Sequence, residues 1–141
     1  MRRVWRLAVV AAAAAVGFSL AVVRFGGAAE QGCAQRVARD PSYQVRWSEQ
    51  PSSDVTRYRL SIRRDGQRIT GADVCLNAYL RGMSAVAVAD HGREVARGVY
   101  EVSLVFEMGG RWRGRVLVAE PGRRVVAVPL DLEVPSPEPG S

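Results

Sequence analysis

Five side chains of this 141-residue sequence have donor atoms suited to a soft metal: Cys33, Cys75, Met83, His91 and Met108. Thiolate, thioether and imidazole together suit Cu(I) better than Mg or Ca. Met83, His91 and Met108 form the candidate metal set, with copper as the candidate cofactor. No short fixed spacing of the Cys-x-x-Cys kind ties these residues together. Each also has an ordinary structural reading, with Met83 packing under a strand end, His91 solvated beside Asp90, and Met108 at a loop tip.

Catalytic chemistry finds little to use. His91 is the single histidine, it falls in the turn-like run Asp90-His91-Gly92-Arg93, and no serine or cysteine is spaced to make a triad with it. There is no glycine-rich phosphate loop, and the acids are scattered along strand faces and turns. The expected class is therefore non-enzymatic.

Both cysteines follow the long apolar run near the N-terminus, in the part of the chain expected to lie in an oxidising compartment. A Cys33–Cys75 bridge, two free thiols and a thiol metal ligand all fit that placement. Closing a loop of this length would stabilise the fold by about 4 kcal/mol in the chain-entropy model. Cys75 sits between Val74 and Leu76, so on a strand it points away from their buried face, towards the segment that carries Cys33.

The N-terminus sets the address. Arg2, Arg3 and Arg6 precede the apolar run Leu7 to Val23, which Arg24 closes; positive charge before such a run holds that end in the cytoplasm and sends the remainder across the membrane. Residues 1–29 are thus expected to be an export or membrane helix, either a cleaved signal peptide or a single-pass anchor, with the domain periplasmic, secreted or held on the extracytoplasmic side. The net charge of +6 is largely this leader's. Setting its four arginines aside leaves a small basic surplus and no nucleic-acid motif, which argues against a nucleic-acid partner. All basic residues except His91 are arginine. Arg57, Arg59 and Arg63 share one strand face and Arg111, Arg113 and Arg115 another; on a common sheet, Arg57, Arg59, Arg111, Arg113 and Arg115 would form a basic face for an envelope protein partner.

The elements that position these residues are strands. Residues 30–42 read as a polar stalk, and Tyr43 to Trp47 as a first strand. Tyr58, Leu60 and Ile62 alternate with arginines up to Asp65-Gly66, a strong two-residue turn signal. The apolar set then shifts parity between Ile69 and Ala72, so Gly71 is expected to be a bulge or a corner between sheets. Ala72 to Leu80 and Ala85 to Ala89 follow as strands. Gly98 to Val118 reads as one β-hairpin around Met108-Gly109-Gly110, with Phe106 opposite Trp112 and Glu107 opposite Arg111. Val125 to Val134 closes the domain before a disordered tail, 135–141. About seven short strands over 43–134 make the expected fold all-β, an immunoglobulin-like antiparallel β-sandwich, with a small barrel as the rival.

The run Asp65-Gly66, then Gly71-Ala72-Asp73-Val74, Leu80-Arg81-Gly82-Met83, Gly98-Val99-Tyr100-Glu101-Val102 and Met108-Gly109-Gly110-Arg111-Trp112 resembles the YtkA-like and FixH-type domains over roughly Tyr43 to Val134. The resemblance implies a membrane-anchored or secreted accessory module linked to copper handling or respiratory oxidase assembly. It carries a metal role onto Met83 alone. Here Arg81 stands in place of the family's proline, and Ser84-Ala85-Val86 follows Met83 without a second methionine or histidine.

Overall fold

A computed structural model describes Cys33 and residues 35–136 of the chain. The expected leader at 1–29 and residues 137–141 of the expected tail lie outside the described residues. Among the described residues no helix is long and apolar enough to cross a membrane.

Eight strands follow in order: β1 (Tyr43–Trp47), β2 (Arg57–Arg64), β3 (Gln67–Arg68), β4 (Asp73–Leu80), β5 (Met83–Ala96), β6 (Val99–Ser103), β7 (Gly110–Ala119) and β8 (Val126–Val134). All named pairings are antiparallel, and the hydrogen-bonded order is β1-β2-β6-β5-β4-β7-β8, with β3 beside β2. One layer holds β1, β2, β3 and β6, and the other holds β4, β7 and β8. β5 belongs to both, because its first part pairs with β4 and its last part with β6. The architecture therefore lies between a sandwich and a barrel: two faces close on one core while one strand keeps them joined.

Period-two alternation determines what that core contains. Tyr58, Leu60 and Ile62 of β2 and Tyr100 and Val102 of β6 meet Val74, Leu76, Trp112, Val116, Val118 and Val134 of the other layer, and all are buried. Four aromatic rings span the interior edge to face, Trp47 to Tyr58 at 5.4 Å, Tyr58 to Phe106 at 5.7 Å and Phe106 to Trp112 at 5.0 Å. That geometry sets the positive ring edge against a negative face.

Two buried tyrosines anchor the connections. The single proton of the Tyr58 hydroxyl is within reach of the carbonyls of Val55 (2.6 Å) and Ser52 (2.8 Å), and its oxygen accepts from the Ser52 N–H (3.3 Å), pinning the β1–β2 loop. The Tyr100 hydroxyl donates to the Ile69 carbonyl (3.0 Å) and accepts from the Ala72 N–H (3.2 Å), one bond on each side of Gly71. Burial raises the pKa of both phenols, which stay neutral donors. Gly71 has φ +67° and is the corner at which the chain leaves the β2 layer for the β4 layer, as the parity shift anticipates. At the open side of the sheet Glu120, in the β7–β8 turn, accepts from Tyr43 of β1 (2.6 Å) and pairs with Arg64 of β2.

Two expectations are corrected. Residues 98–118 are not a hairpin: β6 pairs with β2 and β5, whereas β7 pairs with β4 and β8. Leu104 to Gly109 carries the chain between layers, so Phe106 and Trp112 touch across the core and not across a ladder. Glu101 faces Arg59 and Arg93, and Arg111 faces Asp131. Secondly, Asp90-His91-Gly92-Arg93 is not a turn but the middle of the 14-residue β5. A Cβ on Gly92 would lie 3.3 Å from both Tyr100 and Val74, one in each layer, so glycine here lets the strand pass closely between the sheets. The turn lies at Gly98, φ +71°.

Candidate functional site

The stalk is not a free spacer. Val37 packs with Cys33, Cys75, Leu117 and Ala127 in a second small apolar cluster on the outer face of the β4–β7–β8 layer. The Ala127 N–H donates to the Ala38 carbonyl (2.9 Å), and Arg39 bridges to Ala127 in parallel. Cys33 and Cys75 form a disulfide with Cα atoms 5.2 Å apart, and both are buried, at 1% and 5% exposure. The outward parity of Cys75 gives the physical reason: a strand bearing Val74 and Leu76 inwards presents Cys75 to whatever crosses outside.

His91 joins this pair. It lies opposite Cys75 in the β4–β5 ladder, its Nε2 is 3.5 Å from Cys75 Sγ, and its Nδ1 is 3.5 Å from the Asp73 carboxylate. Donor atoms of Cys33, Cys75 and His91 all lie within 4.8 Å of one another. A carboxylate at Nδ1 favours the tautomer with hydrogen there, which turns the Nε2 lone pair towards the sulfurs. The imidazole is 41% exposed, so the cluster is buried on its sulfur side and open on its nitrogen side.

The structure does not bring Met83, His91 and Met108 together. Met83 is opposite Leu80 and His91 opposite Cys75, five positions apart along β4, or roughly 16 Å at strand rise. Met108 is at the Met83 end of the layer, where its carbonyl accepts from the Trp112 indole (3.1 Å) and Trp112 is opposite Leu80. Both methionines are exposed, at 51% and 41%.

Sequence reasoning missed the grouping of His91 and Asp73 with the cysteines. A regular hairpin starting from Leu80 opposite Met83 would place Val88 opposite Cys75. The register shift between Tyr79 and Leu80 moves His91 there instead, and an odd shift also exchanges the faces. Only that irregularity in the ladder could have signalled the contact.

The arginines occupy two separate surfaces. β2 and β7 are separated by β6, β5 and β4 in the sheet order, so Arg57 and Arg59 cannot share a basic face with Arg111, Arg113 and Arg115. This corrects the single-face expectation. On the β7 side an open groove of about 550 Å³ runs beside the stalk, bordered by Arg39, Tyr79, Arg113, Arg115, Pro129 and Asp131. Gly114 also borders it; a Cβ there would sit 1.9 Å from the Asn77 carbonyl oxygen, so glycine is what lets β7 lie this close to β4. Asp131, the acid of the groove, is held by Arg111 through two hydrogen bonds (2.8 and 2.9 Å), with Arg113 at 3.9 Å. The Arg111 hydrogen bond is the main cause that lowers the Asp131 pKa. Tyr79, 40% exposed, adds an aromatic wall.

The sequence model of a family described as YtkA-like matches residues 37–117. No curated protein and no solved structure matches the chain.

Proposed function

The chain belongs to the YtkA-like family, and from that premise we propose that it is a non-enzymatic accessory domain on the outer side of a bacterial membrane that docks an acidic segment of an envelope protein. The groove beside the stalk carries this reading. Three arginines border it, Arg39, Arg113 and Arg115, and its acid, Asp131, is shared between Arg111 and Arg113, so positive charge predominates. Such a surface attracts carboxylates and steers their approach. Tyr79 offers the amphipathic contact area that recurs at recognition sites. The apolar run at 7–23 would tether the domain, and the disulfide fits an oxidising compartment. A photoreactive aromatic residue in place of Tyr79, in the full chain in its native membrane, is expected to crosslink to a partner protein. Arg113→Glu with Arg115→Glu should abolish the adduct, whereas Arg57→Glu with Arg59→Glu, on the opposite layer, should not. Adducts indifferent to the first pair would refute the docking surface.

Copper handling, including a part in respiratory oxidase assembly, is a second reading favoured by a different observation. The donors of Cys33, Cys75 and His91 lie within 4.8 Å, a softer and tighter set than Met83, His91 and Met108 could supply.

A further inference from the structure

We propose that Cys33, Cys75 and His91 form a three-coordinate Cu(I) site that exists only when the Cys33–Cys75 disulfide is reduced, with Asp73 orienting the imidazole. The inference rests on the copper reading and adds the redox gate, the coordination number and the role of Asp73.

In the oxidised protein each sulfur is committed to the other, leaving no thiolate for a cation. An external dithiol would open the site in a balanced exchange. Its two electrons break the S–S bond, it closes to its own disulfide, and its two thiol protons pass to Cys33 and Cys75. Cu(I) then displaces both protons to solvent and takes two thiolates and the neutral Nε2 of His91. Metal uptake therefore releases two protons per ion and weakens as pH falls.

Geometry favours this set. The strand ladder already places His91 opposite Cys75, and the stalk carries Cys33 over both. Asp73 at 3.5 Å from Nδ1 completes a carboxylate–histidine pair of the kind that fixes a ligating ring. The cluster contains three donors among the described His, Cys, Asp and Glu residues. Two thiolates and an imidazole suit trigonal Cu(I), whereas structural Zn(II) is almost always tetrahedral and requires a fourth ligand. The exposed edge of His91 is the route by which the ion enters.

The test titrates Cu(I) against a competing chromophoric chelator, using the full chain in detergent, once oxidised and once after dithiol reduction under anaerobic conditions. One equivalent bound only by the reduced protein is expected, with loss of binding in Cys33→Ser/Cys75→Ser and at least a tenfold weakening in His91→Asn. Asp73→Asn should weaken binding by about tenfold or more, as loss of an outer-shell carboxylate does. Met83→Ala should leave binding unchanged. No binding by either form would overturn the copper reading together with the gate. Equal binding by both forms, lost in Met83→Ala, would overturn this site and its gate and leave copper at the methionine end. A reduced protein that takes Zn(II) in preference to Cu(I) at equal free concentration would overturn the metal assignment.

Discussion

Removal of the Cys33–Cys75 bridge should cost the domain a large part of its stability. The bridge joins positions 42 residues apart and so closes a long loop in the unfolded chain. The chain-entropy relation gives a loss of about 13 cal/mol/K, or roughly 4 kcal/mol at 25 °C. That is a large part of the 5–15 kcal/mol typical of a domain. Urea unfolding of the full chain, oxidised, reduced and as Cys33→Ser/Cys75→Ser, measures it directly. The two forms lacking the bridge should agree with each other and unfold at lower urea, and the thermal midpoint should drop by about 15–25 °C. The slope m should rise, because an uncrosslinked unfolded chain exposes more surface. A difference under about 1 kcal/mol between oxidised and reduced protein would refute the reasoning. It would mean that Val37, Leu117 and Ala127 hold the stalk down without the covalent link.

Gly114→Ala forces a Cβ to within 1.9 Å of the Asn77 carbonyl oxygen and 2.6 Å of the Ala78 Cα, both backbone atoms that cannot rotate away; a loss of about 3 kcal/mol or more is expected by urea unfolding. Tyr100→Phe removes the hydroxyl shared by Ile69 and Ala72 and should cost about 2 kcal/mol, with faster amide exchange at Ala72. Glu94 accepts from the N–H groups of Gly98 (2.9 Å) and Gly71 (2.7 Å), bonds that hold its pKa below the ordinary 4.5. Because the unfolded state then binds protons first, this contribution is fully present above about pH 4.5 and lost as pH falls through the depressed folded value. Asp40 and Asp131, lowered from 3.8 mainly by hydrogen bonds from Ser42 and Arg111, act in the same direction. Stability should therefore decline on acidification, and Glu94→Gln should flatten the upper part of that decline in denaturation curves taken across the acid range.

The sequence by itself determined what each strand presents to the core. Alternation in 57–63 and 72–80 is set by the pleat, so Tyr58, Leu60, Val74 and Leu76 had to face inwards and Cys75 outwards whatever the partners. The turn at Asp65-Gly66 and the corner at Gly71 were legible for the same local reason, since positive φ and a parity change leave marks in residue type. Pairing was not legible. Residues 98–118 alternate on both arms, and a short glycine loop is compatible with a hairpin, yet the arms join different layers because burying Phe106 and Trp112 against each other across the core excludes them from one ladder. Asp90-His91-Gly92 carries turn-forming residues, but pairing with β4 and then β6 keeps the chain extended, and Val74 and Tyr100 pass so close to Gly92 that a Cβ there would be tight. Neither constraint is local. The candidate site follows from the same distinction: face parity sent Cys75 outwards, whereas a three-residue register shift, visible only once β4 and β5 are paired, decided that His91 would meet it.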